Sequence, residues 1–221
     1  MTDRTLNLIE VSKRYHMGPY VISNFTYEFD KGSATALIGP NGSGKTTLMR
    51  ILSTAAYPTS GKIMFGSLNI HEHPHQYLGS IGVVPDEPDL PQYLTAVELL
   101  EWILRSRNKW NGHSGKDINE LLDVLMLDER RNNVIGTYSS GMIKKTQIAV
   151  SLISQPAVLL MDEPFRGLDE DSRTATMDLL IRFKKNNGLL ILSSHMKSSL
   201  EPLCDNYITF PLNKDELTVN N

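Results

Sequence analysis

Between Gly39 and Thr47 the chain reads GPNGSGKTT, and this run constrains the fold more than any other stretch. Glycines at 39, 42 and 44 allow a tight turn that aims successive backbone N–H groups at phosphate oxygens. Pro40, Asn41 and Ser43 complete the loop, Lys45 can reach β- and γ-phosphates, and Thr46, followed by Thr47, offers a hydroxyl to Mg²⁺. The setting agrees with the motif, because Ala34 to Ile38 predicts a strand just before it and Thr47 to Leu52 a helix just after. A glycine-rich surface turn would not need those flanks. Nucleotide binding is therefore the first expectation.

Short continuous apolar runs predict buried parallel strands, and the chain offers Ala34 to Ile38, Ile81 to Val84, Ala157 to Met161 and Leu189 to Leu192. Helical patterns separate them, which implies an α/β core with a mainly parallel sheet whose ligands gather at the carboxyl ends of the strands. The first thirty residues alternate instead, as in Leu6, Leu8 and Glu10 and again in Val21 to Phe29. They predict an N-terminal antiparallel β subdomain, joined by Lys62 to Phe65. From Pro91 to about Tyr138 the pattern turns helical, with Leu99, Trp102 and Ile103 read as core or, alternatively, as an apolar edge that receives a membrane subunit's cytoplasmic helix, and Asn108 to Lys116 as an exposed loop. The expected organisation is one domain over 1–221, with a nucleotide-binding core in 1–90 and 139–221 and an inserted helical subdomain in 91–138.

Composition narrows the function. The net charge of −3 gives no basic footprint, so no nucleic acid is expected as a partner. Cys204 is the single cysteine, which precludes an internal disulfide and fits a reduced compartment. No apolar run approaches the roughly 20 residues that span a bilayer. Asp3 and Arg4 precede a strand-like segment rather than the apolar core of a secretory signal, and the KDEL of Lys214 to Leu217 is not terminal. Work at a membrane would need a partner to hold the chain there.

Two further motifs carry chemistry. AVLLMDEP, Ala157 to Pro164, sets two carboxylates directly after a buried strand, which is costly unless a cation is near. Beside a phosphate loop, Asp162 becomes a candidate Mg²⁺ ligand and Glu163 a candidate to orient and polarise the attacking water. TYSSGMIKKTQIAV, Thr137 to Val150, places serines and a glycine before a helix, where either an ordinary N-cap or an anion site would fit.

The order of these three motifs resembles the ATP-binding cassette family, in which the middle element is the signature just upstream of the Walker B strand. The resemblance covers nearly the whole chain. It implies that Tyr15 stacks on adenine, although Tyr15 also fits as a strand residue packing the small sheet. It implies that FRGLD, ending at Asp169, is the D-loop, and that His195, at the end of a strand, is the switch histidine facing the γ-phosphate. It further implies ATP and Mg²⁺ as cofactors and a head-to-tail pair of cassettes, homomeric or not, in which Ser139 and Gly141 complete the site of the opposite subunit. A separate membrane-spanning subunit would hold the protein peripherally on the inner, cytoplasmic face of the cell membrane.

Two departures stand out. Asp86, in IGVVPDEPDL, occupies the Q-loop position where the family has glutamine; a carboxylate can still serve Mg²⁺, but its charge near the γ-phosphate needs Mg²⁺ or a basic partner to compensate. Tyr138, Ser140 and Met142 replace signature residues, a pattern similar to ATPases of bacterial exporters with separately encoded membrane subunits. The competing readings are a cassette ATPase that acts without transport and an ATP-gated scaffold on a soluble partner. His71, His73 and His75 are expected in a solvated loop with no metal of their own, and Cys204 is expected to be inert.

Overall fold

Two sheets with opposite burial patterns organise the computed structural model, which describes residues 5–87 and 89–212. The Asp3-Arg4 and Lys214 to Leu217 segments lie outside the described residues. The first sheet is antiparallel, ordered β2-β1-β4-β5, with β1 Leu6–Arg14, β2 Tyr20–Phe29, β4 Ser60–Phe65 and β5 Leu68–Asn69. Its inner face is supplied by alternate residues such as Leu6, Leu8, Ile22 and Phe29, all buried. The strand order places Lys62 to Phe65 beside β1, as its sequence predicts.

The second sheet is parallel, ordered β6-β7-β8-β3-β9, with β3 Ala34–Ile38, β6 Ile81–Val84, β7 Val158–Asp162, β8 Leu189–Ser194 and β9 Asn206–Thr209. β7 and β8 are buried along their whole length because both faces of this sheet are covered. Leu37, Val158, Leu160 and Ile191 face one cluster, shared with the antiparallel sheet and α1 Lys45–Leu52. Ala36, Leu159, Met161 and Leu192 face the other.

That second cluster is closed by α3 Ala96–Ser106, α4 Ser114–Val124, α5 Ser140–Ile153 and α6 Glu170–Lys185. α3 starts at a capping box in which Thr95 Oγ1 accepts from the Glu98 N–H at 3.1 Å and Glu98 returns a bond to the Thr95 N–H. Leu99 and Ile103 are buried as expected, but Trp102 is 63% exposed. The reason is angular: Ala96, Leu99, Leu100, Ile103 and Leu104 form one stripe, and position 102 falls outside it. The expected 108–116 loop is shorter than foreseen, since α4 begins at Ser114. The histidine segment also departs from a solvated loop. Pro74 opens the short α2, Pro74–Leu78, and half-buried His71 lies 3.1 Å from the carbonyl of Ala56 through Nε2.

Parallel pairing sets Ile38 opposite Ser194 and Asp162 opposite Ser193. The segments leaving β3, β6, β7 and β8 therefore emerge at one edge of the sheet.

Candidate active site

Those segments enclose a cavity of about 440 Å³ lined by Asn41 to Thr47, apart from Ser43, together with Asp86, Asp162, Glu163, Arg166 and His195. A larger surface depression of about 750 Å³ lies elsewhere, between α4, the end of α5 and α6, and contains none of the sequence-predicted site residues.

The loop after β3 can wrap an anion because its glycines take conformations closed to other residues. Gly44 has φ +112° and leads directly into α1, leaving the first-turn N–H groups of that helix toward the cavity. Gly39 lies so close to the segment just after β9 that a Cβ there would run into the carbonyl of Phe210. Lys45, only 5% exposed, donates from Nζ to the carbonyls of Gly39 at 2.6 Å and Pro40 at 3.0 Å, so its charge is held over the loop.

Opposite the loop, Asp162 Oδ2 accepts from Thr46 Oγ1 at 3.0 Å and Oδ1 accepts from Ser193 Oγ. Adjacent hydroxyl and carboxylate oxygens are the hard donors that suit Mg²⁺. Glu163 follows in a left-handed backbone, φ +47°, uncommon for a residue with a side chain and fixed by its N–H donating to Ser193 Oγ at 3.2 Å. Its Oε1 lies 3.1 Å from His195 Nδ1. The buried Ser43 hydroxyl has no hydrogen-bond partner, a polar atom that a phosphate-binding loop would use. The donor set thus fits a nucleotide phosphate chain with Mg²⁺.

The other expected residues are placed differently. Tyr15, exposed, reaches the rim through its hydroxyl, 3.4 Å from Thr47 Oγ1. Ser139 and Gly141 do not line the cavity: Ser139 caps α5, its Oγ accepting from the Met142 N–H at 3.3 Å, and a Cβ on Gly141 would meet the Gly167 carbonyl at 2.9 Å. Asp86 does line it, paired with Arg166. Behind it, Lys144 Nζ donates to the Pro85 carbonyl at 3.0 Å, and burial draws this ammonium below its ordinary pKa while the Asp86 carboxylate opposes the shift. Sequence reasoning missed Ser193, which braces both acids, and the cavity role of Arg166; the signal for Arg166 was an unbalanced carboxylate at 86.

Comparison with known proteins agrees with the site. The family model described as "ABC transporter" matches residues 22–166. The chain is 31% identical over 84% of its length to the linearmycin resistance ATP-binding protein LnrL of Bacillus subtilis, covering 60% of that protein. It is 30% identical over 84% of its length to the bacitracin transport ATP-binding protein BcrA of Enterococcus faecalis, covering 59% of it. The lantibiotic transport ATP-binding protein SrtF of Streptococcus pyogenes is 33% identical over 84% of the chain, covering 78% of SrtF. The chain thus spans about three-fifths of the length of several curated relatives it matches. A solved ATP-binding subunit of an ABC transporter superposes with a TM-score of 0.87 at 26% identity, over 93% of this chain and 85% of that one. Among the described residues, no helix is long and apolar enough to cross a membrane. By its matched motifs, its two-sheet fold and these relatives, the chain belongs to the ABC transporter family, as one of its ATP-binding subunits.

Proposed function

We propose that this chain hydrolyses ATP to drive a membrane exporter, with its own residues performing the chemistry and a separate membrane-spanning subunit carrying the substrate. The observation that carries the reading is the convergence of Lys45, the Thr46–Asp162 pair and the Glu163–His195 pair on one cavity.

Lys45 and the N–H groups of the loop bind and orient the phosphates, and this positioning accounts for much of the catalysis expected of a phosphoryl-transfer site. Mg²⁺, held by Thr46 and Asp162, would supply neutralisation of phosphate charge. Glu163 orients water toward the terminal phosphorus and accepts its proton. His195, within hydrogen-bond distance of Glu163, holds that carboxylate and offers a second donor to the γ-phosphate. Tyr15 is the adenine platform. Ser139 and Gly141 lie outside this cavity, which supports their use by a second cassette facing the first. Residues 91–138 form the helical subdomain in this scheme, and the protein sits on the inner face of the membrane through its partner.

Relatives named for bacitracin and lantibiotic transport support transport, and one named for linearmycin resistance supports the outward direction. The test is co-purification of tagged Glu163→Gln protein with Mg·ATP from detergent-solubilised native membranes. Stoichiometric recovery of a multi-span protein is expected. Recovery of soluble partners alone, with the bait folded and ATP-bound, would move the assignment to a non-transport ATPase or an ATP-gated scaffold.

A further inference from the structure

A carboxylate at position 86 is unfavourable beside nucleotide phosphates unless a cation meets it. The fold supplies that cation from 80 residues away: Arg166 Nη1 donates to Asp86 Oδ2 at 3.0 Å and lies 3.0 Å from Oδ1. Asp86 Oδ1 is buried and accepts no hydrogen bond, so the ion pair is what holds it.

Both partners are fixed by their backbones. The loop carrying Asp86 is gripped from α5, where Lys144 Nζ donates to the carbonyls of Pro85 and Asp86, and Gln147 Nε2 donates to that of Glu87 at 3.2 Å. Arg166 sits on the turn that starts at Glu163, its N–H donating to the Glu163 carbonyl at 3.2 Å. Its side chain remains 59% exposed, against 34% for Asp86, so the guanidinium can serve a second anion without leaving the first. A planar fork of five donors suits carboxylate and phosphate together.

We propose that Asp86 and Arg166 form a charge couple that sets the preference of this cavity for a nucleoside triphosphate. Arg166 cancels the Asp86 carboxylate and is the second cation, after Lys45, available to terminal phosphate oxygens. The inference rests on the nucleotide reading of the cavity given above. Charge in the cavity is closely balanced: Lys45 and Arg166 are the Lys and Arg side chains of the lining, and Asp86, Asp162 and Glu163 its carboxylates. Without Arg166, Lys45 is the one Lys or Arg of the lining left against three carboxylates, with Lys144 set behind Asp86 on the loop carbonyls, and the most highly charged ligand loses most.

The experiment is calorimetric titration, with Mg²⁺, of a non-hydrolysable ATP analogue and of ADP. The proteins are wild type, Arg166→Gln, Arg166→Lys and the Arg166→Gln/Asp86→Asn double variant, each checked for fold by thermal unfolding. Arg166→Gln should weaken analogue binding about tenfold, the size expected of one charge at a partly exposed site, and ADP binding less. Arg166→Lys keeps the charge but loses the fork and should fall between wild type and Arg166→Gln, while the double variant, in which both charges of the couple are gone, should stay within about threefold of wild type. Wild-type affinity in Arg166→Gln, or no recovery in the double variant, overturns the couple. Failure of the wild type itself to bind either nucleotide overturns the nucleotide reading, and the couple with it, a result that the variants alone cannot mimic.

Discussion

Glu163 and His195 face each other across the cavity, Oε1 to Nδ1 at 3.1 Å, although 32 residues separate them in the chain. Each directly follows a buried parallel strand, and the β7–β8 pairing brings the two together. In the proposed mechanism Glu163 is the residue on which hydrolysis depends. Glu163→Gln keeps the shape and removes the base. Phosphate release should fall by about 100-fold or more while ATP affinity stays within about threefold, measured by steady-state assay and calorimetry. A near wild-type rate would remove Glu163 from this role.

Gly39 offers a test of the loop's backbone. A Cβ at this position would run into the Phe210 carbonyl and lie 3.0 Å from the Phe210 Cβ. Gly39→Ala should cost about 1–3 kcal/mol in chemical denaturation and weaken ATP binding at least about tenfold by displacing the loop. An unchanged midpoint would mean that the backbone at Phe210 gives way at no cost.

Much of the site was legible because its residues sit in local patterns. The phosphate loop, Asp162 and Glu163 are contiguous motifs, and His195 ends an apolar run that reads as a strand. Four parallel strands could be read the same way. β9 could not, since Asn206–Thr209 has no continuous apolar run and Ile208 is the one residue of it that is buried. The Asp86–Arg166 pair was only half legible, for a different reason: the carboxylate at 86 called for a cation without saying which. Its partners meet only through the lateral pairing of β6 with β7, and nothing local in either segment names the other. Trp102 departs from the core reading because apolar character alone does not give the helical angle that decides burial.

Tyr77 is wholly buried, and its hydroxyl has no hydrogen-bond partner; burial pushes its ionisation far above the ordinary range. An unpaired hydroxyl in such a place costs about 1–3 kcal/mol. Tyr77→Phe removes the cost and keeps the ring packed edge-on against Phe65. The variant should match the wild type or exceed it by about 1 kcal/mol in urea denaturation, and a clear loss would reveal a partner for the hydroxyl.

Burial pushes the Cys204 thiol up to about 12 from an ordinary 9.0, with Asp205 adding to the shift. The unfolded chain therefore gives up this proton first, and the folded state binds more protons between those values. The cysteine's contribution to stability is whole below about pH 9 and declines above it, with a slope of up to about 1.4 kcal/mol per pH unit. The stability difference between wild type and Cys204→Ala should shrink from pH 8 to pH 10.5, and iodoacetamide should label Cys204 only after unfolding. Rapid labelling of the native protein at pH 8 would contradict the burial.

The parallel sheet places β3 between β8 and β9, strands made more than 150 residues later. The phosphate loop is thus synthesised long before the strands that flank its β3. Until they arrive, β3 has no neighbour on either side, and neither Glu163 nor His195 has a place to stand. In the proposed scheme, a chain broken off before β8 carries the phosphate loop without the strand that sets it beside Glu163.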